Sequence, residues 1–142
     1  MMEAAVVVGL DWEPLYWHVP PGRSSVALPD TRDLWDVIWE NRRNLLGIAH
    51  SHPGSGVPGP SHEDITTFAA IESGLGRDLR WWITSRDRLI ELRCAHGHDL
   101  MGWERIHPKH DYSLRRIRGD GRAQTWLPKL RELSYEPEVK VR

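Results

Sequence analysis

His50 and His52 stand two positions apart in a stretch, 44–52, whose apolar start and stop at Pro53 read as a β-strand. Side chains alternate across a strand, so both imidazoles project from one face while Ser51 points to the other. Two neutral nitrogens on one face can share a metal ion. Asp64 falls in the first turn of the next predicted helix, where a short connection can fold its carboxylate back over the strand end. Two nitrogens and one carboxylate oxygen around a vacant fourth position is how zinc is held for catalysis, since the vacancy admits a water whose pKa falls towards ~7. Ser61 and Asp64 carry a second meaning, because Ser-x-x-Asp at a helix start is the capping-box pattern, in which each side chain satisfies an orphan backbone N–H. Spacing alone leaves both meanings open.

His50-Ser51-His52-Pro53, followed by Ser61-His62-Glu63-Asp64, resembles the H-[ST]-H-P-x(n)-S-x-x-D signature of the JAMM metalloproteases, also called the MPN-plus or JAB domain, in a single-domain prokaryotic or phage-type form. Eight residues, Pro53 to Pro60, separate His52 from Ser61, one more than is usual in the family, and the extra residue falls in a glycine-proline loop. The resemblance implies a zinc cofactor held by His50, His52 and Asp64. It also implies that Ser61 hydrogen-bonds the oxyanion that forms as an amide carbonyl is attacked. A glutamate on the first strand, ahead of the motif, serves the family as base and then acid. Two residues compete for that place. Glu3 opens the strand AAVVVG and is the first choice; Glu13 lies in a predicted hairpin turn, which belongs at the end of the strand away from Glu3. Glu40 reads as a helix-surface charge, and His62 and Glu63 as solvent-facing.

The expected function is therefore hydrolysis of a peptide or isopeptide bond in a protein or peptide substrate, with the C-terminal tail of a ubiquitin-like protein among the substrates. The rival is a non-catalytic MPN-type interaction module that keeps the site's geometry without its base. A second group, Cys94-Ala95-His96-Gly97-His98, could hold a soft metal with His107 and His110 as further ligands, although the favoured reading is a polar turn, which accounts for it without metal.

The elements that must position these residues follow from periodicity and turn chemistry. Runs 4–10 and 15–20 predict a β-hairpin turning at Asp11-Trp12-Glu13-Pro14. Asp30 or Thr31 caps a helix through about Asn41, with Leu34, Val37 or Ile38 on one face and Trp35 and Trp39, four apart, expected to bury together. After the motif strand and the loop 53–60, Ser61 opens a helix with Ile65, Phe68, Ala69 and Leu75 in its stripe and Gly74 and Gly76 at its stop. Strands follow near 79–84 and 88–94, turning at Ser85-Arg86-Asp87, and a third near 100–106. Trp81 and Trp82 point to opposite faces, one into the core and the other to the surface or against a helix.

This order, ββαβαββ, predicts a mixed α/β fold: a curved, mostly antiparallel sheet flanked by helices. The family resemblance implies JAMM/MPN-like, cytidine-deaminase-like layering. Residues 1–110 are expected to form the domain. Residues 111–142 read as a basic extension, in which Trp126 to Leu133 suits a short segment docking back on the domain or onto a partner.

With 142 residues the chain is long enough for one real core. Lys plus Arg (19) nearly cancel Asp plus Glu (20), which argues against nucleic acid or an acidic membrane as the partner. The longest apolar run, Ala4 to Leu10, cannot span a bilayer. A start at Met-Met-Glu without a secretory h-region, and a lone Cys94, make the cytoplasm the expected setting. Eight Trp and eight His stand out, and only their positions decide between packing and metal.

Overall fold

The computed structural model describes residues 1–107 and 110–135, with the side chains of His107 and His110 outside that description. The chain forms β1 (Ala5–Gly9), β2 (Pro14–His18), α1 (Arg32–Glu40), β3 (Leu45–Ser51), α2 (His62–Leu75), β4 (Arg80–Thr84), β5 (Leu89–Cys94), β6 (Glu104–His107), β7 (His110–Ile117), a 3-10 turn (Gly121–Thr125) and α3 (Leu127–Tyr135). The strands make one seven-stranded sheet in the order β2-β1-β3-β4-β5-β7-β6. Every neighbouring pair is antiparallel except β3–β4. That exception arises because α2 carries the chain back across the sheet between them. The fold is thus mixed α/β with a mostly antiparallel sheet.

Helices cover both faces. Leu34 and Ile38 of α1 and Ile65, Phe68 and Ile71 of α2 pack against Val7, Ile48, Trp81, Ile83 and Leu92. Ala123, Trp126, Leu127 and Leu130 pack against Val6, Val8, Ala49 and Trp82 on the other side. Two covered faces explain why β1 is buried along its whole length and reads as unbroken valine rather than as alternation. They also explain why neither Trp81 nor Trp82 reaches the surface. Among the described residues no helix is long and apolar enough to cross a membrane.

Two features differ from expectation. Trp35 and Trp39 do not bury together: they remain 40% and 55% exposed, while Leu34 and Ile38, one position round the helix, face the sheet. Only one of two adjacent i,i+4 stripes can meet a flat surface, and the guanidinium of Arg42 stacks over Trp39 instead. The second difference is β7, an eight-residue strand in the segment set apart as an extension, which inserts between β5 and β6. Residues 111–117 therefore lie in the sheet, and α3 closes its second face.

Candidate metal centre

β1 and β3 bring the site together through their register. Ala5 pairs with His50 and Val7 with Ile48, so continuing the ladder sets Glu3 opposite His52. Residues 3, 5 and 7 share the face of residues 48, 50 and 52 by the two-residue period of the strand. Ser51 points to the other face, where its hydroxyl accepts from the Ala4 N–H (3.0 Å) and from the Ser134 hydroxyl of α3. These bonds fix the strand end from behind.

α2 supplies the third side. Ser61 is its N-cap: the Ser61 hydroxyl accepts from the Asp64 N–H at 3.0 Å, and Asp64 Oδ2 accepts from the Ser61 N–H at 2.8 Å. The capping box is therefore real. It leaves Asp64 aimed at the strand, with Oδ1 at 3.4 Å from His50 Nε2 and Oδ2 at 3.1 Å from His52 Nε2. The two imidazole nitrogens are 2.9 Å apart, and Glu3 Oε1 lies 3.6 Å from His52 Nε2. Glu3 and His50 are buried, at 7% and 8% exposure.

The electrostatics match this crowding. Burial opposes the Asp64 charge, but hydrogen bonds from His50 and His52 outweigh it and hold the carboxyl well below its usual range. Burial also opposes a charged His52, yet hydrogen bonding and charge from Asp64, with help from Glu3, raise its pKa overall. Glu3 moves the other way from Asp64: burial pushes its pKa up, against the pull of the two histidines.

Residues that could hold a metal are thus gathered: Glu3, His50 and His52 each offer a ligand atom within 4.8 Å of the others, and Asp64 closes on both histidines. A tetrahedral site with bonds of about 2.0–2.1 Å sets its ligand atoms about 3.3 Å apart. The His50–His52, His50–Asp64 and His52–Asp64 separations, 2.9, 3.4 and 3.1 Å, lie close to that value. Because His50 meets Asp64 Oδ1 and His52 meets Oδ2, these separations show a donor set of the kind and spacing that could hold a metal ion, with the Asp64 carboxylate facing both imidazoles.

Of the two competing glutamates, only Glu3 is near. Glu13 is exposed in the β1–β2 turn, its N–H bonded to Asp11 Oδ1, at the far end of a strand about 17 Å long. Glu40, His62 and Glu63 are exposed on their helices. The loop 53–60 is fixed rather than loose: Gly54 exchanges hydrogen bonds with the Tyr135 hydroxyl, and the Gly56 N–H donates to Asp87 Oδ1.

At the opposite end of the sheet Cys94 and His96 come together, joined by Asp78 rather than by His98. The side chains of His107 and His110 lie outside the described residues. Asp78 precedes β4 and is distant in sequence from Cys94, so no local spacing could have pointed to it. No protein-family model matches the chain, and a search of curated proteins finds no match.

Proposed function

We propose that the chain is a zinc-dependent metalloprotease of JAMM/MPN-plus type that hydrolyses a peptide or isopeptide bond, with the C-terminal tail of a ubiquitin-like protein as the substrate class. The observation that carries this reading is the buried Glu3 carboxylate beside the His50–His52–Asp64 triangle. A capping role alone gives no reason for a second carboxylate there. The motif strand running into α2, with helices on both faces, is the support for JAMM/MPN-like, cytidine-deaminase-like layering.

In this mechanism His50, His52 and Asp64 would hold the zinc. A zinc ion held by three ligands supplies a Lewis acid and a water acidic enough to lose a proton near neutral pH. Glu3 would act as base and then acid, taking a proton from the attacking water and returning it to the amine nitrogen as the C–N bond breaks. Ser61 donates its hydroxyl hydrogen to the carbonyl oxygen as that atom gains charge, while the hydroxyl oxygen goes on capping α2. The extended backbone around His50 and the Ser51 bonds keep the imidazoles from turning away.

Metal analysis tests the ligand set: His50→Ala, His52→Ala and Asp64→Ala should each hold about one zinc equivalent less than the parent. An unchanged zinc content in His52→Ala would falsify it. Chelation should leave the circular dichroism spectrum largely intact, because the two packed faces do not depend on one ion. Hydrolysis of a reporter amide-linked to a ubiquitin-like tail tests the reaction. Ser61→Asp keeps a good cap but sets a negative charge where the oxyanion forms, so it should melt like the parent and lose on the order of 10²-fold or more in kcat. A parent protein that holds zinc and cleaves no such amide would instead be an interaction module.

A further inference from the structure

The Asp78–Cys94–His96 cluster lies at the end of the sheet away from the histidine strand. β4 runs parallel to β3, so Asp78, just before β4, and His52, just after β3, sit at opposite ends. Three segments contribute: Asp78 from the α2–β4 connection, Cys94 from the end of β5 and His96 from the turn that follows. One ligand atom of each lies within 4.8 Å of the other two, and His96 Nε2 is in direct contact with Asp78 Oδ2.

The turn that presents His96 is held without help from any ion. The Ala95 N–H donates to the Asp111 carbonyl, the His98 N–H to the Ala95 carbonyl, and the Gly97 N–H to both Asp111 carboxylate oxygens at 2.7 and 2.8 Å. His96 itself adopts φ +51°, a left-handed conformation that costs a residue with a Cβ about 1 kcal/mol. That strained backbone points the imidazole at Asp78. Asp111 Oδ2 also stands 3.8 Å from the Cys94 sulfur.

The surroundings favour a cation. Glu72, Asp78, Asp111 and Cys94 line a cleft of about 630 Å³. Among the described residues lining it the one cation is Arg77, whose guanidinium donates to the Arg42 carbonyl at 2.9 Å. A thiol, an imidazole and a carboxylate select a borderline-soft ion over Mg²⁺ or Ca²⁺, which require oxygen ligands.

We propose that Asp78, Cys94 and His96 form a second metal site, for Zn²⁺ or another thiophilic divalent cation, with Asp111 as the neighbouring carboxylate. Such an ion clamps the α2–β4 connection, the end of β5 and the turn 95–98 together at the rim of the cleft. It is independent of the His50–His52–Asp64 site and stands whether or not that site is catalytic.

Cobalt reports the difference directly, because a thiolate ligand gives a near-ultraviolet charge-transfer band that histidine and carboxylate ligands do not. Reduced full-length protein titrated with Co²⁺ should develop this band with the amplitude of one thiolate site per chain, and Zn²⁺ should bleach it. The band should be unchanged in His52→Ala and absent in Cys94→Ser. In His96→Ala and Asp78→Asn it should require about tenfold more Co²⁺ or greater, with circular dichroism confirming that each variant is folded. No band in the reduced parent at saturating Co²⁺ overturns the proposal. So does a titration identical in His96→Ala, Asp78→Asn and the parent, which would assign the band to the thiol alone. Loss of the band in His52→Ala would show that the two sites are not separate.

Discussion

The two ends of the sheet gather similar side chains by different means. At one end Glu3, His50 and His52 are set by the pairing of β1 with β3 and stay largely buried. At the other, Asp78 and His96 hang on connections, with 49% and 64% of their side chains exposed. A register fixes position to within a pleat but binds the site to the sheet's own stability. A turn leaves the sheet out of it and holds its groups less firmly.

The largest expected effect lies at the buried end. Glu3→Gln should retain zinc and lose on the order of 10²–10⁴-fold in kcat, the range for a removed general base. Glu13→Gln, on the exposed turn, should hydrolyse the same substrate at the parent's rate. Equal loss in both variants would mean that nearness to the histidines is not what matters.

Backbone substitutions sharpen the contrast. A Cβ at Gly47 would fall 1.9 Å from the Arg80 carbonyl oxygen, where β3 meets β4, so Gly47→Ala should destabilise by about 3 kcal/mol or more. Gly97 has open space and only a positive φ of +78° to defend, so Gly97→Ala should cost about 1 kcal/mol. Urea unfolding compares the two; equal costs would remove the distinction between a packed register and a free turn.

Behind the strand of His50, Ser51→Ala leaves the buried Ala4 N–H short of a partner, while the Ser134 hydroxyl keeps the Leu130 carbonyl, at a cost of about 1–3 kcal/mol. Zinc content should not change, because Ser51 faces away from the histidines. The smallest change, about 1 kcal/mol, is expected for Ser61→Ala through loss of the α2 cap, visible as a melting point lower by a few degrees.

Much of this was legible in the sequence because the signals are local. The cap at Thr31, the cap at Ser61, the left-handed stop at Gly76 and the proline after the histidines all act within a turn of where they are written. Strand order is not local, and β7 shows the consequence. Arg115 and Arg116 give it the look of a basic tail, yet Arg115 pairs with buried Glu91 at 3.1 Å and stacks on Trp103. Trp35 and Trp39 misled for a related reason: the helix carries two apolar stripes, and the sequence does not say which one the sheet accepts. At the site, the HSHP string and Ser61-x-x-Asp64 were visible as a pattern, whereas Glu3 could be preferred over Glu13 only through the hairpin's direction. Asp78 and Asp111 carried no signal, since each reaches Cys94 and His96 through tertiary structure alone.

The order in which these groups meet has a consequence for folding. His50, His52 and Asp64 belong to one contiguous strand–loop–helix segment, so closing them together costs little chain entropy. Glu3 arrives only with a pairing as remote as that of Ala4 with Ser51, 47 residues apart. Contacts of such separation form late. A partly folded chain that has closed only the 45–64 segment would therefore bring His50, His52 and Asp64 together and lack the Glu3 carboxylate beside them, so gathering the triad and completing the centre are separable steps of assembly.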